Sequence, residues 1–267
     1  MATLRAGYGL DAEGFIVSDV SKNKINNVYM PCILESVESL KKVFQQQLHS
    51  VYLYGSVPRG EAVILKSDLD LIALFDSELS SDKLDELKKV ARELSQKYCA
   101  LVRGVGIAVA YYDYTIDPSN YYENAFLKEL CVCVDGEDLG ERFGPYKLTS
   151  EIAIRFNGDI HQALKRTLNR LDTAADEDFK TFSQNFCRKL IRAYYSMVMV
   201  RSQIWSTRLQ EQAEVVIHHY PNKEPIIRTL LKWIDEPPTE RETVYELFKR
   251  EGEWASTNFT EEANITP

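Results

Sequence analysis

The sequence predicts an α+β protein in which a small mixed β-sheet domain, flanked by helices, precedes an all-α helical bundle. Up to about residue 145, short apolar runs typical of strands alternate with helical patterns. Beyond that point the strand patterns stop and long helical periods take over. The length of 267 residues and the apolar fraction of 45% suffice for two domains with real cores. We therefore place the domains at residues 1–145 and 146–267.

The first domain is predicted to hold three helices and four strands after a turn-rich lead-in at residues 1–30. The helices follow from apolar residues at helical spacing, and the second of them begins with a Ser/Asp cap. The strands follow from short apolar runs and from alternation of apolar and other residues. The predicted helices are 33–48, 81–98 and 119–130, and the predicted strands are 51–54, 68–75, 105–112 and 131–134.

The second domain is predicted to consist of helices alone. An apolar stripe runs along residues 177–201, which is typical of a helix packed in a bundle. The segment DEPPTE at 235–240 contains two prolines and predicts a turn between helices. The predicted helices are 151–171, 177–201, 208–219, 224–234 and 239–254.

Composition and charge argue against several classes of function. The net charge of −8 disfavours a protein that grips a nucleic-acid backbone, because such proteins usually carry a basic excess. It suits a nucleotide that arrives with a divalent cation, or a cationic small molecule. No apolar run approaches the roughly 18 residues of a membrane span. The five cysteines do not have the spacing of a disulfide framework, so we expect a reduced, cytoplasmic protein without a membrane partner.

The stretch YLYGSVPRGEAVILKSDLD, residues 52–70, carries two aspartates one residue apart. The spacing of Asp68 and Asp70 places both carboxylates on one face of a strand. Like charges at that distance repel each other, so a positive group is expected beside them. Paired hard oxygen ligands suit Mg²⁺, which proteins bind through one or two carboxylates together with substrate phosphates. The pair therefore predicts a magnesium site.

The turn before the aspartates is suited to a phosphate. Gly55 permits a sharp turn and the close approach of a bulky anion. Ser56 offers a hydroxyl and an amide at what is predicted to be a helix N-terminus, and Arg59 and Gly60 extend that cradle. With the metal site, this arrangement is typical of a nucleoside-triphosphate site for in-line displacement at phosphorus.

These residues resemble the signature of the DNA polymerase β-type nucleotidyltransferase superfamily. The match consists of Gly55-Ser56, 11 intervening residues and Asp68-Leu69-Asp70, with Ser67 directly before the first aspartate. The two-domain layout is similar to that of the antibiotic (aminoglycoside) adenylyltransferases. The segment LIRAYYSMV at 190–198 resembles their helix that supplies a basic residue to the triphosphate, which makes Arg192 the candidate.

The resemblance implies an Mg²⁺-dependent enzyme that moves AMP from ATP, or another nucleoside triphosphate, to a hydroxyl of a small acceptor and releases pyrophosphate. Residues 210–267 hold 12 acidic and 6 basic side chains, which would attract a cationic, aminoglycoside-like acceptor. Two alternatives stay open. One is a nucleotidyltransferase that modifies protein or RNA, of the toxin–antitoxin type. The other is a nucleotide-binding module with impaired catalysis.

One feature departs from the superfamily pattern. Members usually carry a third carboxylate on the next strand, where it binds metal or acts as general base. Here that position falls on about Gly106, and the same strand face continues with Ala108 and Ala110. Asp113 is the nearest carboxylate and the remaining catalytic candidate. Its parity places it on the opposite face unless a bulge intervenes.

Overall fold

The computed structural model describes residues 4–267 and confirms the predicted fold class, a mixed four-stranded sheet with helices followed by a helical part. Contacts divide the chain into two compact units, residues 17–145 and residues 4–16 together with 146–267. The first is called the sheet unit and the second the helical unit. The sheet unit contains, in chain order, α1 (Met30–Phe44), β1 (Leu48–Tyr54), α2 (Ser56–Arg59), β2 (Leu69–Phe75), α3 (Ser81–Lys97), β3 (Val105–Tyr111), α4 (Tyr112–Ile116), α5 (Tyr121–Leu130) and β4 (Cys131–Gly136).

The sheet has the strand order β3-β2-β1-β4. β1 runs antiparallel to both β2 and β4, whereas β2 and β3 are parallel. The parallel pair requires a crossover connection, and α3 supplies it. Two predictions for this region need correction. Helix α1 ends at Phe44, because residues 48–50 belong to β1, and β3 ends at Tyr111, because residues 112–116 form the unpredicted helix α4.

Alternation along the strands gives the sheet two faces with separate cores. One face packs Val51, Leu53 and Leu71 against apolar residues of α1 and α3. The other face carries Tyr52 and Ile72, which pack with residues of α5, β4 and the turn that follows. Both faces are therefore covered near the middle of the sheet.

The helical unit is built around its longest helix. The helices are α6 (Ser150–Asn157), α7 (Ile160–Thr173), α8 (Asp176–Ser202), α9 (Leu209–His219), α10 (Glu224–Asp235) and α11 (Arg241–Ala263), and the other five pack against α8. The predicted helix 151–171 is two helices, because the chain breaks at Gly158, where a Cβ would lie 2.5 Å from the Ile154 carbonyl oxygen. Helix α11 extends nine residues beyond the predicted end at residue 254.

Residues 4–16 group with the helical unit, which differs from their predicted place in the first domain. The amide of Gly7 donates to the Gln203 carbonyl at 2.7 Å, and the amide of Trp205 donates to the Tyr8 carbonyl at 2.9 Å. These backbone hydrogen bonds tie the segment to the end of α8, a long-range pairing that carries no local sequence signal. Within residues 4–267, no helix combines the length and apolar character that crossing a membrane requires.

Candidate functional site

The two aspartates lie at the end of the sheet where β1 stops and the other three strands begin. Asp70 is the second residue of β2, and its register partners are Tyr54 on β1 and Gly106 on β3. Tyr54 in turn pairs with Cys131, the first residue of β4. One row of residues therefore crosses all four strands. Asp68 is two positions from Asp70 and points to the same face.

Glycines flank both carboxylates. Gly55 has a φ of +82°, and a Cβ at this position would come within 2.8 Å of Asp70 Oδ2. A Cβ at Gly106 would lie 3.3 Å from Asp70 Oδ1, and one at Gly104 would lie 3.7 Å from Asp68 Oδ1. A side chain at residue 55 would be strained as well as crowded. The glycines thus leave space beside the carboxylate oxygens.

The positive group expected beside the aspartates is an arginine that the sequence analysis did not select. Arg103 Nε donates to Asp68 Oδ1 at 3.0 Å, and a second guanidinium nitrogen donates to Asp68 Oδ2, so the pair is bidentate. The hydrogen bonds to Asp68, followed by the charges of Asp68 and Asp70, raise the pKa of Arg103 against the opposing effect of burial. Arg103 therefore offsets part of the repulsion between the two carboxylates.

Tyr54 stands between the acidic face and a small aromatic cluster. Its ring packs edge-on against Phe126 of α5, with the ring centroids 5.4 Å apart. Burial, and then the negative charge of Asp70, raise the pKa of Tyr54 above its ordinary value. Tyr54 thus stays protonated next to Asp70.

The Gly-Ser turn forms as predicted. Gly55 caps the short helix α2, which begins at Ser56. The Ser56 carbonyl accepts a hydrogen bond from the amide of Glu61 at 3.0 Å, which closes the turn after the helix. Arg59, predicted to extend the phosphate cradle, donates from Nε to Glu61 Oε2 at 3.2 Å.

Two other predicted binding residues, Gly60 of the cradle and Ser67 before the first aspartate, have local structural partners. Gly60 has a φ of +75°, and a Cβ there would lie 2.9 Å from the Lys24 carbonyl oxygen, so this position needs glycine for backbone packing. The Ser67 hydroxyl accepts a hydrogen bond from the Val63 amide at 2.9 Å and so closes the loop that leads into β2.

The structure does not bring Asp113 to the aspartates. It is an exposed residue of α4, beyond Tyr111 at the far end of β3. Gly106 and Tyr111 are five residues apart, which is roughly 16 Å along a strand. Gly106, by contrast, lies directly beside Asp70, as the third-carboxylate position was predicted to do. Arg192 is an exposed residue of α8 in the helical unit, and its role stays a prediction.

Arg103 and Tyr54 are the site residues that sequence reasoning missed. A signal for Arg103 existed, because it lies two residues before the start of the strand predicted next to the aspartate strand. If those two strands are parallel, the residues before each of them meet at one sheet end. Choosing the parallel arrangement required the strand order, which the sequence did not supply.

The donor set at this sheet end fits a magnesium ion. Both carboxylates offer hard oxygens, and the flanking glycines leave the room that a ligand would fill. Among residues 4–267, no cluster of three or more His, Cys, Asp or Glu side chains is placed to hold a metal by itself. A metal here would therefore rely on Asp68, Asp70 and oxygens of the substrate.

Comparison with known proteins supports this description. Residues 33–126 match the sequence profile of the nucleotidyltransferase domain, and this range includes the Gly-Ser turn, both aspartates, Arg103 and Gly106. Residues 33–126 are therefore similar to a nucleotidyltransferase domain. A search of curated proteins by sequence found no match.

A solved structure resembles most of the chain. It is the spectinomycin adenyltransferase AAD(9) from Enterococcus faecialis, determined with ATP and spectinomycin. The TM-score is 0.56, the identity is 14%, and the match covers 85% of this chain and 98% of that one. At this identity the similarity establishes the fold.

Proposed function

We propose that this protein is an Mg²⁺-dependent adenylyltransferase that moves AMP from ATP to a hydroxyl of a small cationic acceptor. One observation carries the proposal. Asp68 and Asp70 share one face at the sheet end beside the Gly55–Ser56 turn, inside the segment that matches the nucleotidyltransferase domain. A pair of carboxylates next to a tight glycine turn is suited to a metal-bound triphosphate.

Different residues at this sheet end would bind different parts of the donor ATP. Asp68 and Asp70 would hold Mg²⁺, which when bound offsets charge on the triphosphate and polarises the phosphorus. Gly55 would allow the phosphates to approach the backbone, and Ser56 would donate to a phosphate oxygen. Gly106 and Gly104 leave the approach to the carboxylates clear of side chains.

In the proposed reaction the acceptor hydroxyl oxygen attacks the α-phosphorus of ATP. The new P–O bond forms as the α–β phosphoanhydride bond breaks, and pyrophosphate leaves. The hydroxyl proton is released to a base or to water. Gly106 stands where a third carboxylate would take that proton, and Asp113 lies at the other end of β3. We therefore expect Asp113→Asn to leave turnover unchanged.

A cationic acceptor is supported by charge. The stretch 210–267 of the helical unit carries 12 acidic and 6 basic side chains, which would attract a polyamine-like molecule. The spectinomycin adenyltransferase of similar fold, solved with spectinomycin, supports a small-molecule acceptor. Binding driven by this charge weakens with added salt. Affinity that does not change between low and high salt would remove the cationic acceptor from the proposal.

A second candidate function is nucleotide binding without transfer. The observation in its favour is Gly106 beside Asp70, where the superfamily usually has a carboxylate. A chain of this kind would bind Mg·ATP but would not split it in the presence of any acceptor.

Release of pyrophosphate separates the two candidates. The assay contains ATP, Mg²⁺ and a panel of aminoglycosides and other hydroxyl-bearing amines, with native protein, Asp70→Asn and Asp113→Asn. The proposed function requires acceptor-dependent pyrophosphate from the native protein and from Asp113→Asn, and none from Asp70→Asn. ATP binding without pyrophosphate across the panel would favour the binding module.

A further inference from the structure

We infer that Arg103 is a built-in counter-ion that competes with the divalent cation for Asp68 and binds a substrate phosphate once the metal has displaced it. The inference rests on the proposed function, because it assigns a role toward the same metal and the same triphosphate. It adds Arg103 to the site and gives an order of events. The metal binds Asp68 first, and the guanidinium released from Asp68 then binds a phosphate.

The geometry of the ion pair supports competition. Nε donates to one oxygen of Asp68 and a second guanidinium nitrogen donates to the other, so the arginine engages both oxygen atoms that a metal would need. The fork of an arginine matches a carboxylate in this bidentate form better than a lysine does. While the pair persists, the two aspartates and the arginine carry a combined charge of −1 instead of −2. A divalent cation arriving alone is therefore attracted less strongly.

The anchoring of Arg103 supports exchange. Its backbone is fixed, because its amide donates to the Ser67 carbonyl at 3.0 Å and the next residue, Gly104, accepts from the Leu69 amide at 2.9 Å. Its side chain, however, is 54% exposed. The guanidinium is able to leave Asp68 by rotation of side-chain bonds, without movement of the strand.

Once it has left Asp68, the Arg103 guanidinium is expected to bind a phosphate. A guanidinium fork pairs with phosphate as well as with carboxylate. Arg103 lies three residues before Gly106, which is beside Asp70, so a phosphate held through a metal at the aspartates lies within reach of a long side chain. Mg²⁺ that arrives with ATP supplies at once the cation for Asp68 and a phosphate for Arg103. The pair thereby favours Mg·ATP over the bare cation.

The test compares binding of a metal alone with binding of Mg·ATP. Mn²⁺ binding is followed by electron paramagnetic resonance, and ATP binding at saturating Mg²⁺ by calorimetry, for native protein and Arg103→Gln. Arg92→Gln, at an exposed position of α3, is the control for loss of one positive charge.

Arg103→Gln is expected to bind Mn²⁺ alone about three- to tenfold more tightly, since an exposed ion pair of this kind no longer opposes it. Its affinity for Mg·ATP is expected to fall by about tenfold, since charge-assisted contacts to phosphate are strong. Arg92→Gln is expected to change neither.

Other outcomes overturn the inference in distinguishable ways. If native protein binds Mg·ATP and the Asp68→Asn/Asp70→Asn variant does not, the proposed donor site stands. Unchanged Mn²⁺ affinity or unchanged Mg·ATP affinity in Arg103→Gln would then overturn the role of Arg103 alone. If native protein binds neither Mn²⁺ nor Mg·ATP, the proposed function and the inference both fail.

Discussion

Each unit of the molecule contains an ion pair between a carboxylate and a cation, and the two pairs differ in almost every physical respect. In the helical unit, Lys223 Nζ lies 2.8 Å from Glu251 Oε2, and the two side chains are 11% and 2% exposed. The Glu251 carboxylate also accepts hydrogen bonds from Tyr194 at 2.7 Å and Arg250 at 2.8 Å. In the sheet unit, the Arg103 and Asp68 side chains are 54% and 30% exposed.

The difference indicates which pair serves the fold and which can serve a ligand. Burial opposes ionisation of Glu251, but the hydrogen bonds from Lys223, Tyr194 and Arg250 together hold its pKa below the ordinary value. Such a carboxylate is buried and has hydrogen-bond donors on both oxygens, so it is poorly placed to take a new ligand. The half-exposed pair of Arg103 and Asp68 is screened by solvent and contributes little to stability, so a stronger partner is able to separate it.

The largest expected effect on stability belongs to Glu251→Gln. Removing this charge leaves Lys223 buried without its partner, and breaking a buried pair costs about 3 to 5 kcal/mol. Urea unfolding followed by circular dichroism measures the loss. Glu253→Gln, two residues along the same helix and exposed, is the matched control and should shift the midpoint little. Equal small shifts in both variants would contradict a structural role for the Lys223–Glu251 pair.

A buried glutamate of the sheet unit should give the next largest effect, which grows above about pH 4 and is complete above pH 7. Glu129 is 4% exposed, and burial raises its pKa to about 7, against a smaller opposing effect of Lys128. Between the unfolded pKa of about 4.3 and this value, the folded chain keeps a proton that the unfolded chain releases. The free energy of unfolding attributable to Glu129 is therefore fully present at low pH and is lost as pH rises toward 7.

The Glu129→Gln variant tests whether the free energy of unfolding falls in this way as pH rises. It should be more stable than native protein at pH 8, by about 4 kcal/mol at most, and should equal it near pH 4. Urea unfolding at several pH values gives the two curves, with Glu141→Gln at an exposed position as the control. Parallel curves for native protein and Glu129→Gln would show that this carboxyl ionises normally.

Gly55→Ala is expected to lower the free energy of unfolding by less than the effects described for Glu251 and Glu129. It is expected, however, to abolish the binding of Mg·ATP. The backbone conformation with φ of +82° costs a non-glycine residue about 1 to 2 kcal/mol, and the new Cβ would press on Asp70 Oδ2. Gly14→Ala is the matched control, because Gly14 has a φ of +84° and a Cβ there meets nothing within 4 Å. Both variants should lose stability, Gly55→Ala the more because of the contact with Asp70, whereas only Gly55→Ala should lose Mg·ATP binding. Retained binding in Gly55→Ala would argue against a donor site at this turn.

The smallest expected effect on stability is that of Asp68→Asn. Its pair with Arg103 is exposed, so the free energy of unfolding should change by no more than about 1 kcal/mol. Binding of Mg·ATP, by contrast, should fall at least about tenfold, because a ligand of the metal is lost. Asp85→Asn, paired with Lys88 on the exposed face of α3, controls for the loss of a surface carboxylate. A large loss of stability in Asp68→Asn would make the Arg103–Asp68 pair structural after all.

Local patterns predicted much of the fold and of the site. The four strands, most of the helices and the two-part layout followed from apolar periodicity. Spacing singled out Gly55, Ser56, Asp68 and Asp70, which the structure brings together, and the resemblance to the superfamily pointed to the glycine in the third-carboxylate position. These features depend on residues close together in the chain, where periodicity and turn chemistry determine the conformation.

The features that were missed depend on contacts between distant segments or on local backbone breaks. Arg103 reaches Asp68 across 35 positions, because β2 and β3 are parallel neighbours. Residues 4–16 join the helical unit through backbone hydrogen bonds near the end of α8. The helix breaks at Gly158, where a Cβ would lie 2.5 Å from the Ile154 carbonyl oxygen, although the helical period continues in the sequence. Asp113 lies far from the aspartates because β3 runs parallel to β2, so the residues that follow β3 are at the sheet end opposite to Asp70.

The central claim is that Asp68 and Asp70 hold a metal-bound nucleoside triphosphate. Calorimetric titration with ATP, in the presence and absence of Mg²⁺, tests it on native protein and on Asp68→Asn/Asp70→Asn. The double variant Asp85→Asn/Glu93→Gln, which removes two exposed carboxylates from α3, is the control. We expect Mg²⁺-dependent binding of ATP by native protein and by the control. We expect Asp68→Asn/Asp70→Asn to lose this binding. Equal binding by all three proteins, or none by native protein, would contradict it.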